Sequence, residues 1–259
     1  MRRREFVVLL GSAATAWPLA GRAQSAIPVV AFLDGGSPDA SARRPTEFRK
    51  GLSEAGYVPG QNVTVEYHWL EGQYDRLPVL VADLVHRRVA VIATPTSVPA
   101  ALAAKAATAT IPIVFGVGID PVKLGLVASL AQPGGNATGI NFLSEEVVPK
   151  GLRLLHDLLP KAVNIAAFVN PTNVAIADPT VQSAEDAART MGLQIRILKA
   201  STIAEIDAAF ASFVQSRPDA FIVIPDGFFY SRRGQFATLA TRDRVPPLIG
   251  IVILSRPAG

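Results

Sequence analysis

The feature that most limits what this chain can fold into is an alternation of two periodicities, run through twice. Continuous apolar runs mark strands buried on both faces, and they alternate here with segments whose apolar residues recur at helical spacing. Ile27 to Leu33 is such a run and ends at Asp34-Gly35-Gly36. Residues 40–55 then carry helical spacing and stop at Gly56, a suitable glycine just past a helix end. Asn62 to Trp69 alternates as a strand, and residues 75–87 place Leu77, Leu80, Val81, Leu84 and Val85 on one helical face. Val89 to Ala93 reads as a buried strand, 98–108 as an alanine-rich helix and Ile111 to Phe115 as a strand. Asp120-Pro121 predicts a helix start running to about Leu130, because aspartate caps and proline suits the first helical position.

The pattern then restarts. Asn164 to Val169 is a strand ending at Asn170-Pro171, a helix follows and stops at Gly192, and Gln194 to Leu198 is a strand. Residues 203–215 are helical, Ala220 to Ile224 is a strand ending at Pro225-Asp226-Gly227, and 231–243 is a helix before a last strand from Val245 to Ile253. Matching elements lie about 130 to 136 residues apart without shared letters, so the architecture repeats and the sequence does not. The expected fold class is α/β, with two Rossmann-like lobes of parallel sheet flanked by helices over 27–142 and 150–254, the second incomplete. In open parallel sheets ligands sit outside the carboxyl ends of the strands, so two such lobes facing each other make one shared cleft.

Residues 1–23 read as an export signal of twin-arginine type, with Arg2, Arg3 and Arg4, an apolar stretch from Phe6 to Leu19, and cleavage near Ala23. That stretch is shorter than the roughly 20 residues a membrane span needs and contains Pro18. The leader also carries much of the charge. Removing its four arginines and Glu5 lowers the net charge from +4 to +1, which argues against a nucleic-acid partner. There is no cysteine, which excludes disulfides, thiolate metal sites and cysteine nucleophiles.

Candidate ligand contacts are the strand-end loops, where function concentrates. In the first half these are Asp34, Gly35, Gly36 and Ser37; Thr94, Thr96 and Ser97; and Gly116, Gly118 and Asp120. In the second they are Asn170, Thr172 and Asn173, then Asp226 and Phe228. Loop amides at helix N-termini suit a carboxylate. Asp226 or Asp120 would hold an ammonium group, and Phe228 would stack on an apolar side chain. Each also has an ordinary structural use: Asp120 as a cap, Gly35-Gly36 and Asn170-Pro171 as turns. His68, His86 and His156 lie far apart, and no metal-ligand spacing, nucleophile elbow, P-loop or complete dinucleotide fingerprint is present. The reading is therefore a binding protein, with no catalytic residues, metal or cofactor.

Particular stretches go further. The leader RRREF…GRAQ, FLDGGSPD at 32–39, the run FRKGLSEAGYVPGQNVTVEYHWLEGQYDRLPVLVADLV at 48–85, and IPIVFGVGIDPVKLGLVASLAQPGGNATGINFL at 111–143 together resemble the substrate-binding proteins of ABC transporters, in the group linked to tryptophan or tyrosine uptake. The second half matches more loosely, at 154–173 and 225–229. The resemblance implies a type 1 periplasmic-binding fold, a periplasmic monomer that captures a small solute such as an amino acid, and delivery to a permease and its ATPase, which would be its only link to the membrane. The chain departs from the pattern at Arg43-Arg44-Pro45, at Thr94-Pro95-Thr96-Ser97, and at VPPLIGIVILSRPAG (245–259), where members usually run on. An exported α/β enzyme, a periplasmic sensing module and an inactive truncated product stand as alternatives.

Overall fold

The structure, a computed structural model, describes residues 27–142 and 146–249. The predicted leader and cleavage site and residues 250–259 lie outside the described residues, as do residues 143–145 between the two halves. Among the described residues no helix is long and apolar enough to cross a membrane.

The strands are β1 (Val29–Asp34), β2 (Thr64–Trp69), β3 (Val91–Thr94), β4 (Ile113–Val117), β5 (Ala137–Asn141), β6 (Asn164–Val169), β7 (Gln194–Lys199), β8 (Ala220–Val223) and β9 (Pro247–Ile249). They form two sheets, ordered β2-β1-β3-β4-β5 and β7-β6-β8-β9, and every pairing is parallel. The two orders are the same walk: the second strand turns back beside the first, and the later strands add on the other side. Each sheet therefore has a switch point, at β1/β3 and at β6/β8, where loops leave toward opposite faces and open a crevice.

The helices are α1 (Arg43–Glu54), α2 (Leu77–His86), α3 (Val98–Ala107), α4 (Val147–Leu158), α5 (Val174–Thr190), α6 (Ile203–Ala211), α7 (Gly227–Ser231) and α8 (Arg233–Asp243). The predicted helix over 40–55 is α1, and its stop works as expected. Gly56 takes φ +85°, and the amides of Gly56 and Tyr57 bond back to the carbonyls of Ser53 and Leu52. Gly192 closes α5 with the same pair of bonds, from Gly192 and Leu193 to Arg189 and Ala188. Both are the paired closure that a glycine free to adopt positive φ allows.

One expected element is corrected. The predicted helix from Pro121 to Leu130 is a run of turns. Asp120 accepts the Val122 amide on its carboxylate at 2.8 Å, but Gly125 then swings to φ +70° while Leu126 bonds back to the carbonyl of Pro121. The turn closes on itself and buries Leu126 and Val127, so no second turn of helix propagates.

Each sheet is covered on both sides. In the first, Leu33, Leu84, Ile92 and Ile113 lie in one apolar layer, and Phe32 with Phe48, Tyr67 and Trp69 in the other. The second holds an aliphatic layer around Leu152, Ile165 and Ile222, and opposite it Phe168, Phe210, Phe221 and Phe236 packed largely edge to face. Such ring pairs add about 0.5–1.5 kcal/mol each beyond the area they bury. Ile176, on α5, packs against both the first aliphatic layer and the second, so the two halves touch through apolar as well as polar groups.

Candidate functional site

A cavity of about 370 Å³ lies between the two sheets and is walled by both. From the first half come Arg44, Tyr74, Thr96, Val98, Gly116, Gly118, Ile119 and Phe142; from the second, Asn173, Ile176, Thr180, the stretch Val223–Gly227, Phe229, Tyr230 and Arg233. Its size and mostly apolar lining, with a few polar groups set among it, are those of a site for one small molecule. Among the described residues no group of acids and histidines is placed to hold a metal ion.

Two aspartates, Asp34 buried and Asp226 half-buried, stand at the two switch points. Asp34 ends β1 and is 0% exposed. Its Oδ1 accepts the Gly36 amide (2.7 Å), the Ser41 hydroxyl (3.3 Å) and Arg44 Nη1 (3.0 Å); its Oδ2 accepts the same Nη1 (3.0 Å) and the Thr96 hydroxyl (3.3 Å). Asp226 follows β8 and caps α7. Its Oδ1 accepts the Phe228 amide (2.9 Å) and Asn170 Nδ2 (3.0 Å), and its Oδ2 accepts Asn173 Nδ2 (2.9 Å) and the Tyr74 hydroxyl (3.1 Å). A carboxylate has about four lone-pair positions, so Asp226 is saturated. Burial first, and then the charge of Asp226, push the Tyr74 hydroxyl well above the usual tyrosine range, so it stays a donor.

The Tyr74–Asp226 bond crosses between the halves, and further contacts lie beside it. The Ser37 amide donates to Ser231 Oγ at 2.9 Å, and Arg232 stands 3.9 Å from Glu71. Gly227 rests on Gly35 so closely that a Cβ on Gly227 would sit 2.5 Å from the Gly35 carbonyl carbon. Gly116 is equally tight, because a Cβ there would meet the Pro95 carbonyl oxygen at 2.2 Å. Glycine is required at both positions by close backbone approach.

The sequence candidates divide accordingly. Thr96, Gly116, Gly118, Asn173 and Asp226 line the cavity. Asp34, Gly35, Gly36, Ser37 and Asn170 build its frame or the contact between the halves. Thr172 bonds back to Asn170 Oδ1, Ser97 caps α3 through the Ala100 amide, and Thr94 is wholly buried with no partner for its hydroxyl among the described residues. Two expected roles are corrected. Phe228 is buried in the aromatic core and packs on Gly72, so it does not stack on a ligand; Phe229 and Tyr230, one and two residues on, reach the cavity. Asp226 has no lone pair left for an ammonium group, and Asp120 caps its own turn outside the lining.

Arg44, Tyr74, Tyr230 and Arg233 went unrecognised among the candidates because they come from helices and a short 3-10 turn rather than from strand-end loops. The departure at Arg43-Arg44-Pro45 was the one available signal. Arg44 and Arg233 both pack on the Tyr230 ring, 4.7 Å and 4.8 Å from its centroid.

Two parallel α/β lobes of matching strand order, closed around one small-molecule cavity at both switch points, define a two-lobed binding-protein architecture. The chain belongs to the family described as ABC transporter substrate binding protein, whose model matches residues 26–250. It is 30% identical over 200 residues to a tyrosine-binding protein of Clostridioides difficile (strain R20291), a match spanning 77% of this chain and 56% of that one. The chain thus spans a little over half the length of that relative. Among solved structures it is similar to a conserved domain protein of Vibrio cholerae, with a TM-score of 0.74 at 25% identity over 86% of this chain and 74% of the other. It also resembles an ABC domain from Streptococcus pneumonia in complex with L-Trp, with a TM-score of 0.71 at 21% identity over 86% and 73% of the two chains.

Proposed function

We propose that this chain is an extracytoplasmic carrier. It captures a small solute, an amino acid with an aromatic or branched side chain being the leading candidate, between its two lobes and delivers it to a membrane permease driven by an ATPase. The observation that carries the reading is the cavity itself: it sits at both switch points at once, so a ligand there touches both halves and favours their closed arrangement through contacts that neither half supplies alone. Family membership and the tyrosine-binding relative support the transport role and the ligand class. Residues 1–23 act in this reading as a leader removed near Ala23, releasing a monomer into the periplasm, with 27–142 and 150–254 as the two lobes. No chemistry is asked of the site. Its work is to exchange the ligand's hydration for a fixed set of donors and apolar walls, and to present a closed shape to the permease.

A thermal-shift screen of the mature chain against the amino acids and a panel of small metabolites tests this. A genuine ligand at a hundredfold excess over its Kd stabilises by about 2.7 kcal/mol. The expected hits are aromatic or branched amino acids. A screen in which nothing moves the transition removes the carrier reading.

A further inference from the structure

The charges around the cavity specify its ligand more narrowly than the lobes do. Its lining contains two arginines and one acid. The acid, Asp226, has all four of its lone-pair positions taken by neutral donors. Asp34, behind the wall, is taken up by Arg44 and its neighbours. Neither carboxylate can pair with an incoming cation without breaking a bond it already makes. The donors are placed the other way. Arg44 uses only Nη1 among the described residues, on Asp34 and Ser41, and its side chain remains 29% exposed. Arg233 spends one N–H on the Tyr230 carbonyl at 3.0 Å and makes no ion pair among the described residues. A guanidinium carries five N–H donors in a fork that matches a carboxylate, so both side chains hold donors in reserve at the cavity wall. Among the described residues, the one buried acceptor without a partner there, Asn173 Oδ1, is a neutral amide oxygen. It can take one N–H or O–H but supplies no charge to favour an ammonium.

Building on the carrier reading, we propose that the ligand is anchored by a carboxylate on Arg233, with Arg44 beside it, and that the cleft does not require an α-amino group. The substrate class is then small carboxylates with an aromatic or branched apolar body, amino acids being one subset. Tyr230 helps hold both guanidinium groups in place, each packed against its ring. The ligand body faces Ile119, Phe142 and Ile176, where no charge lies in the lining.

The test is calorimetry on the full chain with L-tyrosine, 3-(4-hydroxyphenyl)propionate, tyramine and L-tyrosinamide, and with leucine and 4-methylvalerate as an aliphatic pair. In at least one series the carboxylate lacking an amino group is expected to bind within about tenfold of its amino acid. Tyramine and tyrosinamide should bind at least about 30-fold more weakly than 3-(4-hydroxyphenyl)propionate, the scale of one lost charged hydrogen bond. Arg233→Gln should weaken the carboxylates by about 10- to 100-fold and bring them level with tyramine, and Arg233→Lys should restore part of the difference. Arg189→Gln, outside the cleft with a 75% exposed side chain, should change nothing. Thermal melts show whether each variant folds, and the wild-type ligand series decides the question even if Arg233→Gln does not. Tyramine binding as tightly as the acid overturns the proposal, as does a folded Arg233→Gln that weakens the charged and uncharged head groups equally. Binding of none of the six compounds overturns the carrier reading beneath it.

Discussion

Asp34 ends β1 and Asp226 follows β8, on opposite sides of the switch points of their lobes, and the two are held in opposite ways. Asp34 is neutralised within its own lobe by Arg44, with Ser41, Thr96 and the Gly36 amide completing the shell. Among the described residues Asp226 has no cation bonded to it; four neutral donors share its charge, and one of them, Tyr74, comes from the other lobe. A buried charge satisfied locally stabilises a lobe. One satisfied across a cleft stabilises the closed arrangement of two. The same residue type, placed at the mouth of each switch point, thus does framing work in one half and bridging work in the other.

The largest break in that comparison should come from the acids themselves. Asp226→Ala leaves Asn170, Asn173 and Tyr74 with unpaired buried groups, each costing about 1–3 kcal/mol, so a total on the order of 3 kcal/mol or more is expected in urea denaturation. Asp34→Ala should cost a similar amount, on the order of 3 kcal/mol, because it strands the buried Ser41 hydroxyl and the Gly36 amide while the part-exposed Arg44 can reach water. Only Asp226→Ala should also weaken ligand binding, and an equal loss of affinity in both variants would contradict the assignment of roles. Next in size is Gly227→Ala, where the added Cβ meets the Gly35 backbone. The strain, about 1–3 kcal/mol, should appear as a tenfold or greater loss of ligand affinity, with little change in the melt of the unliganded chain.

Single hydrogen bonds sharpen the contrast. Tyr74→Phe removes the bridging bond and should lower affinity by roughly fivefold, while Thr96→Val, its counterpart on Asp34, costs about 1 kcal/mol of stability and spares closure. The smallest effect is with alkali. Burial and the neighbouring Asp226 raise Tyr74 above its ordinary 10.0, so its contribution is intact below that pH and lost as pH climbs from there toward the raised value. Ligand affinity in the wild type should therefore weaken above about pH 10, and Tyr74→Phe should remove that share of the slope.

The architecture was legible because strand burial leaves a strong trace. Ile27 to Leu33 and Ala220 to Ile224 can hardly be anything but inner strands, and Gly56 and Gly192 announce their helix ends. Strand-end loops follow from that, which is why Thr96, Asn173 and Asp226 were found. Local pattern failed where the outcome depends on distant partners. Asp120-Pro121 carries every mark of a helix start, yet Gly125 and the burial of Leu126 end it in one turn. Phe228 and Tyr230 differ only in which side of the short helix α7 docks against the core. Arg44 and Arg233 sit on separate helices 189 residues apart, and nothing in either segment says that both pack on one tyrosine.

The central claim is that one ligand is gripped by both lobes, and distance measurement tests it most directly. The chain has no cysteine, so a pair introduced at Val79 and Val214, which are 78% and 91% exposed on opposite lobes, can be spin-labelled cleanly. Addition of a ligand identified by thermal shift should move the distance distribution to a single narrow population, and Gly227→Ala should oppose that shift. A distribution that stays the same at saturating ligand, in a protein that calorimetry shows to be fully bound, would contradict the account.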